Sequence, residues 1–384
     1  MKKYEYNNQP MFVGNDAYAK ISDYIKEDDR IFLIHGKSYE KLPIKEVISQ
    51  LSQEIIEFTG FSPNPKYEEV VAGRELFLQE KCTIIISVGG GSAIDTAKNI
   101  KLFAAMDNCN NYLESEKKAS NVRHLAIPTT AGTGSESNRN SVLYKEGVKQ
   151  SIKHESLLPD VAFIIPELIY TLPEYQKKST MMDALCQCFE SIWAAGSTDE
   201  SRSYAIKGLQ LVLEHMEAYL KGDKSSCEAI MLSANFSGRG TNISQTTAAH
   251  AMSYKLASLY NISHGHAVSL CLPYICEYAI DNMDKISDNV AENEIAKRFR
   301  SSEDWFEDTM FLLLGILSPG STDLKFIAKR MHEIVGTMNF DQLHLRDKKD
   351  IDLLVSSVNP LRLGNNPVKL DDEALKEIYK SLFD

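Results

Sequence analysis

Through about residue 165 the chain alternates short β-branched apolar runs with amphipathic stretches. Ile31–Ile34, Glu54–Thr59, Thr83–Val88, Val122–Ile127 and Val161–Ile165 predict strands, and Tyr67–Glu80 and Ala93–Ala105 predict helices between them. Apolar strands separated by helices specify a parallel sheet covered on both faces. Val142–Tyr144 and Val148–Ile152, joined by Lys145-Glu146-Gly147, predict an attached hairpin. After Pro166 the period changes. From Leu172 onward the spacing is helical over Ser179–Ala195, Glu200–Leu220, Cys227–Ile243, Thr246–Leu259, Gly265–Ile280, Asp323–Val335 and Asp371–Phe383. Two prolines within Ile165–Tyr175 mark the boundary. The expected fold is a doubly wound α/β domain over residues 1–168, then an all-helical domain over residues 169–384.

Length agrees with two domains, since 384 residues exceed the size at which one core stops growing, about 250–300 residues. The 42 Lys and Arg against 53 Asp and Glu leave a net charge of −11. That excludes a general nucleic-acid binder, whose footprint is a basic face. It does not exclude a small anionic substrate, which needs only a few local donors. No stretch reaches the roughly 18 apolar residues of a membrane helix. The opening MKKYEYNNQP turns polar too soon for a secretory signal. Seven scattered cysteines without a CxxC pair point to reduced thiols and a cytoplasmic protein.

Candidate chemistry clusters after the strands. The run Ile84–Val88 ends in Gly89, Gly90, Gly91 and Ser92, with Asp95 one turn into the next helix. Glycines there let backbone N–H groups approach an anion, and the helix start adds its positive end. This is a candidate pyrophosphate cradle, although a plain strand-to-helix turn gives the same pattern. Thr129, Thr130, Thr133 and Ser135 follow the Val122–Ile127 run and add donors at the carboxyl edge of the sheet, where ligands of open α/β sheets bind. After the first strand come Gly36, Lys37 and Ser38; the run His35–Tyr39 holds no carboxylate to accept from a ribose hydroxyl, which favours NADPH over NADH.

In the second half, Asp183 and Gln187 are four apart on one helix face, and His250 and His264 flank a turn that folds one back toward the other. One carboxylate and two imidazoles suit zinc or iron. Histidines alone are more often core or surface residues.

Five segments in order, GGGSAIDTAK, PTTAGTGSE, LLPDVAFIIPE, MDALCQ and HAMSY with NISHGHA, resemble the iron-containing (group III) alcohol dehydrogenases over essentially the whole chain. The resemblance implies a dinucleotide domain, a helical metal domain, and reversible hydride transfer between NAD(P)H and a small aldehyde, in a homodimer. It assigns the divalent iron or zinc to Asp183, His250 and His264, with Gln187 where the family usually has histidine. Tyr254 stands where the family carries a histidine often given a proton-relay role, and His266 is a second candidate for proton transfer. Gln245, Thr246 and Thr247 replace a glycine-rich stretch and offer donors to an oxyanion. Arg139, Lys149, Lys153, Arg239 and Arg362 are candidate cations beside it. MDALCQ, the TT segment, SHGHA and NPLRLGNNPV together resemble the phosphonoacetaldehyde reductase branch, which makes 2-hydroxyethylphosphonate. Alternatives are a dehydrogenase for another small or anionic aldehyde, a dehydroquinate synthase relative, and a binding or regulatory homologue that lost catalysis with the histidines replaced by Gln187 and Tyr254.

Overall fold

The uninterrupted apolar runs of the first half build one parallel sheet in the computed structural model, which describes all residues except Asn7, Lys348 and Asp384. The chain divides into two units, Met1–Pro173 with Lys221–Gly238, and Glu174–Leu220 with Arg239–Asp384. The sequence reading places a single boundary after residue 168. In the structure Lys221–Gly238 belongs with the first unit.

In chain order the first unit has β1 (Lys2–Tyr6), β2 (Gln9–Val13), β3 (Ile31–His35), α1 (Ile44–Ser49), β4 (Ile55–Phe58) and α2 (Tyr67–Gln79). These are followed by β5 (Ile84–Gly89), α3 (Gly91–Ala104), β6 (Arg123–Pro128), β7 (Asn140–Lys145), β8 (Val148–Lys153) and β9 (Val161–Ile164). The seven-stranded sheet runs β1-β2-β9-β6-β5-β3-β4, and β7 and β8 form the expected hairpin. All neighbours in the sheet are parallel except β1 on β2. Successive side chains of a strand point to opposite faces, so a doubly covered strand is apolar along most of its length. Ile84, Ile86 and Val88 of β5 enter one core with Leu33, Leu125 and Phe163, and Ile85 enters the other with Phe32, Phe77 and Phe103.

Strand order locates the ligand edge. The chain steps from β3 outward to β4, then returns to the other side of β3 with β5. The carboxyl ends of β3 and β5 therefore flank a switch point, the position at which open sheets bind ligands.

The second unit consists of helices, as expected. They are α4 (Glu174–Trp193), α5 (Asp199–Leu220), the last turns of α6 (Cys227–Ser244), α7 (Ala248–Tyr260), α8 (His264–Asp281), α9 (Ser302–Leu317), α10 (Lys325–Thr337), α11 (Lys349–Ser356), α12 (Pro360–Leu363) and α13 (Asp372–Ser381). Helix α4 packs on α5 and α8, and α7 packs on α8. Among the described residues no helix is long and apolar enough to cross a membrane.

Candidate active site

On α4, residues 183, 187 and 190 recur at i, i+4 and i+7 and so share one face. All three are buried, a costly arrangement for two carboxylates unless both are paired. Helix α7 starts at the Thr247 cap and carries His250 in its first turn. Asn261 then takes a left-handed conformation (φ 54°) that ends α7, and α8 begins with His264 itself. The turn folds the second histidine back on the first, with ring centroids 5.2 Å apart. Gly265 makes the approach to α4 possible. A Cβ there would lie 2.0 Å from the Ser179 carbonyl oxygen and 2.8 Å from Asp183 Cβ.

The result is a three-donor cluster. One ligand-type atom each from Asp183, His250 and His264 lies within 4.8 Å of the others. His250 Nε2 is 3.4 Å and His264 Nε2 3.9 Å from Asp183 Oδ1. His250 Nε2 is buried with no hydrogen-bond partner among the described residues. An orphaned imidazole nitrogen beside a buried carboxylate fits a divalent cation, and an N,N,O donor set suits iron or zinc. The Gln187 amide joins this group by donating to Asp183 Oδ1 at 3.2 Å. Burial would raise Asp183, but His250 and His264 hold its carboxyl below the usual range. Burial would likewise lower His250, yet Glu190 and Asp183 raise it to about 10. The site is therefore built to hold positive charge.

Sequence reasoning missed Glu190. Its Oε1 accepts from Thr247 N–H (3.0 Å), Thr247 O–H (2.7 Å) and His250 N–H (3.3 Å), while Oε2 accepts from His250 Nδ1–H. When a metal displaces the second ring proton, that contact keeps Nδ1 protonated and would leave the Nε2 lone pair to ligate. The available signal was its i+7 spacing from Asp183 on an otherwise apolar stretch.

Thr247 itself needs correction as a substrate donor. Its hydroxyl is fully buried, donates to Glu190 and accepts from Trp193 Nε1 at 3.0 Å, so it braces α7 and reaches no substrate. His266 is corrected as well. Its Nδ1 lies 3.1 Å from the Tyr175 hydroxyl, its ring stacks on Phe340 with centroids 4.0 Å apart, and burial pushes it down to about 4. A neutral imidazole keeps a single N–H of negligible acidity, so His266 is a poor proton donor here. The same Tyr175 hydroxyl accepts from Ser263 N–H at 3.0 Å, so His266 supports the turn that presents His264. The Tyr254 ring, by contrast, lies on His264, with centroids 5.6 Å apart and planes within 17°. Gln245 and Arg362 also meet, Arg362 Nη1 donating to Gln245 Oε1 at 2.8 Å. Thr246 is buried beside them in sequence.

In the first unit, the glycine loop closes on the threonine loop. A Cβ on Gly90 would lie 3.1 Å from Thr130 Oγ1, and one on Gly91 would lie 2.9 Å from Thr133 Cγ2. Thr129 N–H donates to the Gly89 carbonyl at 3.0 Å. Such a cradle of glycine backbone and hydroxyls, at a helix start and a switch point, fits the pyrophosphate of a dinucleotide. Three expected contacts fall outside its surface. Asp95 accepts from Ser135 O–H (2.5 Å) and Val142 N–H (3.0 Å), so Asp95 and Ser135 brace the loop from below. The Ser92 hydroxyl donates to the Pro63 carbonyl.

Gly36, Lys37 and Ser38 follow β3 at the switch point, with Lys37 and Ser38 exposed. The expectation that no carboxylate lies near them is overturned. Glu57 of β4 places Oε2 3.5 Å from His35 Nε2, brought there by the parallel pairing of Leu33 with Glu57. Of the candidate cations, Arg139 is bound by both oxygens of Glu155 at 2.5 and 2.7 Å, and Lys149 lies on β8 opposite Tyr144.

Helical cluster and nucleotide cradle together define a metal-assisted nicotinamide oxidoreductase. The chain matches the family description of iron-containing alcohol dehydrogenases over residues 8–166 and its C-terminal part over residues 177–383. It is 26% identical to the NADPH-dependent butanol dehydrogenase of Clostridium saccharobutylicum, over 97% of this chain and 96% of that protein. It is 29% identical to the 1,3-propanediol dehydrogenase of Citrobacter freundii, over 86% of this chain and 84% of the other. The crystal structure of sulfoacetaldehyde reductase from Bifidobacterium kashiwanohense in complex with NAD+ superposes with a TM-score of 0.82 at 25% identity, covering 100% of this chain and 99% of the other. The chain belongs to the iron-containing alcohol dehydrogenase family. It is an NAD(P)-dependent alcohol dehydrogenase or aldehyde reductase that works with iron or another divalent metal, which sets aside the synthase and non-catalytic alternatives.

Proposed function

We propose that the protein reduces a small aldehyde bearing an anionic group, phosphonoacetaldehyde or its sulfonate counterpart foremost, to the alcohol with NAD(P)H and a proton. The observation that carries this reading is the Arg362–Gln245 pair. Gln245 lies five residues before His250 in a left-handed conformation (φ 62°), a strained geometry that clusters at functional sites. Its amide holds a half-buried guanidinium, the side chain best suited to a phosphonate or sulfonate because it offers paired planar donors. The similarity to a sulfoacetaldehyde reductase supports the same substrate class.

Bound at Asp183, Gln187, His250 and His264, the metal would polarise the aldehyde oxygen, and the reduced nicotinamide would supply the hydride. Asp183 and the two imidazoles provide the donors, and Glu190 keeps the His250 proton on Nδ1. Tyr254, stacked on His264, donates its phenol proton to the alkoxide oxygen, a role suited to a group that is protonated at neutral pH. Gly89–Gly91, Thr130 and Thr133 hold the cofactor's pyrophosphate. We also propose a cytoplasmic homodimer, on the seven cysteines forming no disulfide among the described residues and on the prevalence of twofold assemblies; sedimentation velocity tests the latter.

The test is kcat/KM for phosphonoacetaldehyde, sulfoacetaldehyde, propanal and butanal in wild type and Arg362→Met. The anionic aldehydes should lead in wild type and lose about 10- to 100-fold in the variant, with propanal unchanged. A wild-type preference for propanal or butanal would refute the anionic assignment.

A further inference from the structure

A lysine that the proposed chemistry does not use lies beneath the nucleotide cradle. Lys98 of α3 is fully buried, and its Nζ donates to Ser135 Oγ (2.9 Å), Asn138 Oδ1 (3.0 Å) and the Asn140 carbonyl (2.8 Å). Three acceptors match the three N–H bonds of an ammonium group, whereas a neutral amine would turn its lone pair toward one of them. The Ser135 hydroxyl in turn donates to Asp95 Oδ1, and the other oxygen of Asp95 accepts from Val142 N–H. Asn138 Oδ1 also accepts from Asn140 N–H at 3.0 Å, and Ser135 N–H donates to Thr133 Oγ1 at 3.2 Å. One cation thus ties α3 to the chain from Thr133 to Val142, immediately behind the hydroxyls that face Gly90 and Gly91.

We infer that Lys98 is a positioning residue for cofactor binding, its ammonium group holding the Ser135–Asn140 segment so that Thr130 and Thr133 stay closed on the glycine loop. The inference rests on reading Gly89–Gly91, Thr130 and Thr133 as the pyrophosphate cradle. The charged and titratable groups facing Lys98 are Asp95 and Lys101 on α3, Glu136 in the turn after Ser135, and His124 on β6; Lys149 on β8 acts on it through Asp95. Burial lowers Lys98 to about 8 against the opposing pull of Asp95 and Glu136. Burial also raises Asp95, and it holds His124 neutral. The ammonium form prevails below about pH 8, and the clamp loosens as pH rises through that value.

The test is cofactor affinity rather than turnover. Dissociation constants for NADH and NADPH are read from reduced-nicotinamide fluorescence on the metal-loaded protein between about pH 6.5 and about pH 9.5, around the Lys98 transition. Wild type should bind both cofactors progressively more weakly above about pH 8. Lys98→Met should bind both about 10- to 100-fold more weakly at pH 7 and lose that pH dependence. Should Lys98→Met fail to fold by circular dichroism, Asn138→Ala decides, because it keeps the lysine and removes one acceptor; it should weaken both cofactors. A wild-type affinity that is flat across pH 8, or unchanged affinity in the folded variant, overturns the role of Lys98. Gly90→Val, which fills the cradle against Thr130, separates the two readings. If it abolishes binding while the Lys98 and Asn138 variants bind normally, the cradle stands and the lysine role falls. If it too binds normally, the cradle reading falls and takes the inference with it.

Discussion

Replacing Glu190 by Gln removes one buried negative charge without changing side-chain volume. Glu190 Oε1 has three donors, Thr247 N–H, Thr247 O–H and His250 N–H, and a glutamine carbonyl keeps all three. The other oxygen is the acceptor for His250 Nδ1. In the variant an NH2 group meets that nitrogen, donor against donor. In the neutral form that a metal requires, the ring relieves the conflict by carrying its proton on Nε2, 3.4 Å from Asp183, so the lone pair that would ligate is lost. Loss of a charge-assisted hydrogen bond costs about 1.5–3 kcal/mol, and losing the outer partner of a ligating histidine costs about 10- to 100-fold in metal affinity, two figures that agree. Zinc titration against a chromophoric chelator, with cobalt absorption as a probe of ligand geometry, should show that drop and an altered cobalt spectrum in a protein of unchanged circular dichroism. Zinc affinity within about threefold of wild type, with an unchanged cobalt spectrum, would refute the idea that Glu190 sets the His250 tautomer.

Metal uptake should release protons. His250 is raised to about 10 in the metal-free protein, so at neutral pH it carries a proton that a ligand cannot keep. Calorimetry in two buffers of different ionisation enthalpy should find about one proton released per metal at pH 7, and none would contradict the assignment. The sign for the metal-free fold follows from a raised pKa: the stabilisation is full below the unfolded value of about 6.5 and fades as pH rises through about 10. Gly265→Ala would set a methyl 2.0 Å from the Ser179 carbonyl, forcing α8 off α4. Overpacking of that kind costs about 1–3 kcal/mol, so thermal denaturation should show a fall of several degrees together with weaker zinc binding. Glu57→Gln should raise the NADPH to NADH ratio of kcat/KM, because a carboxylate beside the switch point repels a 2′-phosphate. An unchanged ratio would place Glu57 away from the ribose.

The sheet was readable because its central strands are covered on both faces, a condition that leaves a continuous apolar run such as Ile84–Val88. The antiparallel pair β1 and β2 was not. Lys2–Tyr6 is largely exposed, its Tyr4 and Tyr6 rings stack on each other at 6.2 Å, and KKYEYNN therefore reads as a polar tail. Helix α9 escaped because Phe311–Leu314 are consecutive, which blurs the helical period although Trp305, Phe306, Met310 and Leu313 carry the buried face. The same contrast holds at the site. Asp183 and Gln187 declare themselves by spacing along one helix, and the His250–His264 turn by a short link. Glu190 acts on Thr247 and His250, about 60 residues away, and Glu57 reaches His35 through strand register. A lone glutamate in either sequence context looks like solvated surface. Thr247 and Ser135 misled in the opposite direction, as hydroxyls in a donor-rich segment whose bonding capacity the fold spends internally.

Every residue in the candidate metal cluster, including Glu190 behind it, comes from the second unit alone. An ion bound there would draw no donor from the first unit, so it would stay in place while nucleotide exchanges at the glycine and threonine loops proposed as its cradle. Stripping the ion should accordingly leave nucleotide affinity largely intact. Such a division lets a slowly exchanging component persist through many turnovers while a fast-exchanging one is replaced in each.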